Sequence, residues 1–119
     1  MFGLGSSLRF YLYAGVTDMR KSFDGLCGLV QSKLDRSPTS GEVFIFINRR
    51  RDRVKLLRWE TGGFVLYYKR LEQGTLELPG GNNPGKCVEM TWTQLVLMVE
   101  GISVAHTRER RRYSVKKSA

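Results

Sequence analysis

The chain has 119 residues, and 20 Lys and Arg against 11 Asp and Glu give it a formal net charge of +9. That length suits one domain and can bury a core without a metal or disulfide staple. A 41% apolar share argues against disorder, no apolar run reaches the ~20 residues of a membrane span, and no signal-peptide pattern opens the chain.

Residues 9–13 alternate aromatic and aliphatic side chains and predict a strand. Thr17 or Asp18 offers an N-cap, and Met19, Phe23, Leu26, Cys27, Val30 and Leu34 then recur at helical spacing. Residues 35–41, DRSPTSG, are turn chemistry. Residues 42–48, EVFIFIN, are apolar on both faces, as in a central strand. Two further strands follow at residues 53–59 and 64–70, joined across Gly62 and Gly63, and residues 71–78 are expected to extend this meander. Residues 79–85, PGGNNPG, form a flexible stretch. Thr91 and Gln94 match a capping box for a second helix with Leu95, Met98, Val99 and Ile102 on its apolar face. The predicted fold is α+β over residues 1–105. An antiparallel β-meander of about four or five strands packs on the N-terminal amphipathic helix, with a second, C-terminal helix. Residues 106–119 form a basic, flexible tail. Strands apolar on both faces leave a homodimer or a more closed, barrel-like sheet open.

Metal chemistry finds little support, because His106 is the lone histidine and no Cys-x-x-Cys or His-Glu-x-x-His spacing exists. Cys27 lies on the apolar helix face and reads as an inert thiol; Cys87 has no histidine arranged beside it. The two cysteines are far apart in sequence and fit a reduced, cytoplasmic protein. Asp18, Asp24 and Asp35 fall near one helix but read as a cap, a surface residue and a helix-end residue, and Glu72, Glu77 and Glu89 are scattered among basic neighbours. A small metal-dependent nuclease is the weaker alternative, and no catalytic residue, metal or cofactor is expected.

The basic residues, by contrast, are concentrated. Arg49, Arg50, Arg51, Arg53, Lys55 and Arg58 crowd one hairpin, with Lys69 and Arg70 on the next strand. Arg108, Arg110, Arg111 and Arg112 begin a second cluster in the tail. Guanidinium forks match phosphate bidentately and read guanine edges, so DNA is the expected ligand of both clusters. A solvated turn is the plain alternative for either cluster alone. Trp59, Tyr67 and Tyr68 interleave with cations and offer rings either for base stacking or for the sheet's own packing.

Residues 15–26, GVTDMRKSFDGL, resemble the signature of the TnpB-type, Orf2-like accessory protein of insertion sequence 66 elements. The likeness continues through residues 43–46, 49–59, 63–64, 68–74, 92–95 and 100–102. Glu60, Gln73 and Ser103 depart from the usual residues of that pattern. The resemblance marks Asp18, Arg20 and Lys21 as family-motif positions. It implies a non-catalytic helper of DNA transposition in the bacterial cytoplasm, nucleoid-associated when bound to DNA, whose recombination chemistry belongs to a separate transposase. Expected partners are DNA, as element ends or non-specific duplex, and the transposase and other proteins of the same element; no membrane is expected. The alternative is a protein–protein adaptor that docks on the transposase without specific DNA binding of its own.

Overall fold

The hydrophobic pattern resolves into five strands and two helices. The computed structural model describes residues 8–78 and 87–100; Arg108, Arg110, Arg111, Arg112 and the rest of the expected tail lie outside the described residues. In chain order the elements are β1 (Phe10–Val16), α1 (Phe23–Ser32), β2 (Val43–Ile47), β3 (Arg53–Glu60), β4 (Gly63–Arg70), β5 (Cys87–Met90) and α2 (Trp92–Val99). The strands form one sheet in the order β4-β3-β2-β1-β5.

The expected meander is present as β2, β3 and β4, paired antiparallel with Val43 opposite Arg58 and Arg53 opposite Arg70. The sheet as a whole is mixed, because β1 runs parallel to β2, with Phe10 opposite Val43. Parallel neighbours need a long crossover, and the segment carrying α1 supplies it. Residues 71–78 are not a strand. Leu71 and Leu76 donate their amides to the carbonyls of Asp52 and Arg51, each at 2.6 Å, and Leu76 is buried. The fifth strand is β5, which pairs antiparallel with β1 at the other edge.

Both faces of the sheet are covered. Side chains alternate across a strand, and two core clusters follow. Phe10, Leu12, Val43, Ile45, Val54 and Leu56 pack with Leu95, Met98 and Val99 of α2. Tyr11, Tyr13, Phe44, Phe46 and Leu57 pack with Leu26 and Val30 of α1 and with Leu34. The doubly apolar β2, buried at all five positions, therefore lies between two helices within one chain. The sheet face opposite α1 is accordingly occupied and is not a free docking face.

The two helix starts differ. Thr91 caps α2 as expected: its hydroxyl accepts from the Gln94 amide at 3.1 Å and the Gln94 side chain accepts from the Thr91 amide at 2.9 Å. The N-cap of α1 is Ser22, without a side-chain cap bond, so neither Thr17 nor Asp18 serves there. Asp18 instead binds Arg20 within the loop that precedes the helix.

Candidate functional site

The sheet topology gathers distant basic segments at one end. That end holds the last residues of β1, β2 and β4 and the first of β3. The segments meeting there are the 17–21 loop after β1, the β2–β3 turn, and Lys69 and Arg70 at the end of β4. A cavity of about 700 Å³ opens between the loop and the turn, lined by Val16, Thr17, Asp18, Met19, Arg20, Asn48, Arg49, Arg50, Asp52 and Arg53. The Asp18–Arg20 motif and the arginine turn, about thirty residues apart in the chain, thus share one site.

The turn is held by its own polar residues. The Asn48 side-chain oxygen accepts from the amides of Asp52 and Arg53 at 3.1 and 3.0 Å, and its amide group donates to the Asp52 carboxylate at 2.6 Å. The Arg51 amide donates to the Asn48 carbonyl at 3.1 Å. Arg51 sits at φ +57°, a left-handed conformation that a glycine would occupy more easily. Residues 71–76 buttress the turn through the Leu71 and Leu76 amides. Arg49 and Arg50 project from this braced frame, exposed, with no hydrogen bond or ion pair to another described residue. Asn48 and Asp52 were not among the expected site residues. Their signal was an asparagine entering a charged turn between strands, where its short side chain bonds the following backbone.

The 17–21 loop is fixed in three ways. The Thr17 amide donates to the Ile47 carbonyl at 2.8 Å, tying the loop to β2. Arg20 clamps the Asp18 carboxylate through its Nε and Nη2, the latter at 2.7 Å, and through its backbone amide. These bonds, the guanidinium's foremost, lower the Asp18 pKa to about 2. Lys55 fixes the third point: its Nζ donates to the carbonyls of Met19 and Lys21 at 2.8 and 2.7 Å. Lys55 is only 5% exposed, so its place is in the scaffold beneath the site and not on its surface.

The remaining cations divide. Arg53 lines the cavity and donates to the Tyr68 hydroxyl at 3.3 Å. Arg70 pairs with Glu72 at 2.9 Å, both well exposed, and Lys69 lies 3.8 Å from Glu100. Exposed pairs of this kind contribute little and exchange readily. Arg58 is separate: five residues along β3, about 17 Å at strand spacing, it pairs with Glu60 at 3.4 Å at the other end of the sheet. It lines a second cavity, of about 590 Å³, with Thr39, Ser40, Gly41, Trp59, Glu60 and Thr61. Trp59 packs edge-on against Phe64 with ring centroids 4.9 Å apart. Cys27 is half-buried, and burial pushes its thiol pKa up, while Cys87 is exposed. Among the described residues no group of three or more His, Cys, Asp or Glu is placed to hold a metal ion, and no helix is long and apolar enough to cross a membrane.

Comparison with known proteins gives first a class: the chain matches a family of accessory proteins associated with DNA transposition, not known for catalysis. The match spans residues 8–109 and takes in both the Asp18–Arg20 loop and the arginine turn. The chain belongs to the family described as IS66 Orf2-like protein, TnpB_IS66. The uncharacterized protein y4hO of Sinorhizobium fredii (strain NBRC 101917 / NGR234) is 32% identical over 110 residues, covering 92% of this chain and 93% of that protein. The uncharacterized protein y4jC of the same organism is 34% identical over 79 residues, covering 66% and 68%. No solved structure matches the chain significantly.

Proposed function

We propose that this accessory protein binds DNA directly, through the basic end of its sheet, and so assists the separate transposase of its element. The observation that carries the reading is the braced β2–β3 turn, from which Arg49 and Arg50 project exposed, with no ion pair to another described residue, beside a cavity lined by Arg20 and Arg53. A rigid arginine turn loses little freedom when it meets phosphate, and its guanidinium groups match phosphate oxygens bidentately. Arg51, Lys69 and Arg70 extend the same surface. Arg108, Arg110, Arg111 and Arg112 add charge that can follow the backbone electrostatically. Asp18 and Arg20 shape the cavity wall, with Lys21 next in the same loop. Lys55 supports the loop from below, and Arg58 serves the opposite end of the sheet.

A mobility-shift series across salt concentrations, with the element's terminal repeats and an unrelated duplex, tests this. Neutralising about six phosphates gives a slope of log K against log salt near −5. The double variant Arg49→Glu/Arg50→Glu keeps its melting temperature and loses at least tenfold in affinity. Binding unchanged by that variant removes the turn from the interface.

The adaptor reading draws on one feature. Among the described residues the outer strand β4 pairs on one side only, with β3, and Phe64, Val65, Leu66 and Tyr67 along it are half-buried. Such an edge can accept a strand from a partner. Co-purification with the transposase in high salt, without DNA, supports the adaptor; recovery only through added DNA supports direct binding.

A further inference from the structure

Three large apolar side chains are exposed among the described residues: Val16, Phe23 and Tyr68. Val16 and Tyr68 both stand at the basic end of the sheet. Val16, 56% exposed, is an apolar part of the cavity wall, which it shares with Asp18 and Arg50. Tyr68 is 48% exposed on β4, and Arg53 both lines the cavity and bonds the Tyr68 hydroxyl, so ring and cavity adjoin. The ring is backed from within: the buried Lys55 ammonium lies 4.6 Å from its centroid. Tyr68 therefore presents a rigid, cation-backed ring outward, flanked by Arg53 and by Arg70, which lies opposite Arg53 in the strand pair.

Duplex phosphates need only the cations. An exposed ring offers a stacking platform, and in duplex DNA the base faces are already stacked on one another, so the platform suits a base that is out of the helix. We propose that Tyr68 and the adjoining cavity receive an unpaired nucleotide of single-stranded DNA, its base stacked on the ring and its phosphate held by Arg49, Arg50 and Arg53. The inference rests on the reading that the basic end binds nucleic acid, and it names the form of nucleic acid that the site takes. Arg53 joins the two halves, holding the ring's hydroxyl and facing the phosphate. The Lys55 ammonium occupies one face of the ring in a cation–π contact, which leaves the other for a base.

The test uses the full chain and fluorescence anisotropy with three probes: an oligothymidine of about 12 nucleotides, within the site sizes of single-strand binders, an abasic oligomer with the same phosphates, and a duplex. The wild-type protein is expected to bind the oligothymidine about tenfold more tightly than the abasic oligomer, the size of one base–ring stack. Tyr68→Ala abolishes that difference and leaves duplex affinity within about twofold, while Tyr68→Phe, which keeps the ring, preserves it within about threefold. The abasic comparison is made on the wild-type chain and does not depend on any variant folding. Equal affinity for the normal and abasic oligomers overturns the stacking site and leaves DNA binding at the basic end standing. Failure to bind any of the three probes at low salt overturns both.

Discussion

Lys55 and Asp18 show how neighbouring charges take different roles. Lys55 lies in a run of arginines, yet its side chain points under the 17–21 loop and satisfies two backbone carbonyls. Replacing it by Met keeps the stem and removes the donor, leaving both carbonyls without their partner. Lys55→Met is expected to cost about 2 kcal/mol in denaturant unfolding and to lower DNA affinity only by loosening the loop. Asp18 is held by Arg20, which lowers its pKa to about 2. Because the folded pKa is depressed, the Asp18–Arg20 clamp contributes fully above the ordinary carboxylate range and fades as pH falls from about 4 through about 2. An NMR titration of the Asp18 carboxyl should find its midpoint near 2, and Arg20→Ala should return it toward the model-peptide range. A midpoint near 4 in the wild-type chain contradicts the clamp.

The elements are short, and their packing decides them. α1 has 10 residues and α2 has 8, lengths that are marginal for a helix alone in water. Each helix forms because one face of the sheet needs covering. Leu95→Ala, at a fully buried position of α2, is expected to cost about 3 kcal/mol, and Thr91→Ala, which removes the capping oxygen, about 1 kcal/mol, both read from denaturant unfolding. Gly62, at φ +86° in the β3–β4 turn, tolerates alanine poorly, with an expected cost of about 1 kcal/mol. Local chemistry made much of this legible in the sequence. The alternation of β1, the doubly apolar β2, the Gly62-Gly63 turn and the Thr91–Gln94 box each specify their own element. What local patterns leave undecided is which strands become neighbours. The parallel β1–β2 pair depends on α1 covering one face, and a strand's own residues do not state the direction of its partner. Residues 71–78 have enough apolar side chains for a strand, but Leu76 is buried beneath the arginine turn and the backbone bonds there instead of along β4.

At the scale of the whole molecule, the site is a product of topology. The sequence shows a run of arginines and, thirty residues earlier, an Asp-Met-Arg-Lys motif; the sheet brings both to one end because β1 and β2 run parallel and β3 begins where β2 stops. The same geometry sends Arg58 to the far end and Lys55 inward, so a cluster continuous in sequence is divided in space. Strand spacing in the sequence signals the distance of Arg58, five residues beyond Arg53, but not the burial of Lys55, which shares a face with Arg53 and turns inward only because the 17–21 loop folds over it. The central claim is that the end of the sheet bearing Arg49, Arg50 and Arg53 is where DNA sits. Photo-crosslinking of DNA to the full chain at physiological salt, followed by peptide mapping, tests it most directly. Crosslinked peptides containing residues 49–53 and 68–70 are the expected result. Crosslinks that fall only around Arg58 and residues 39–41, with none at 49–53, would contradict it.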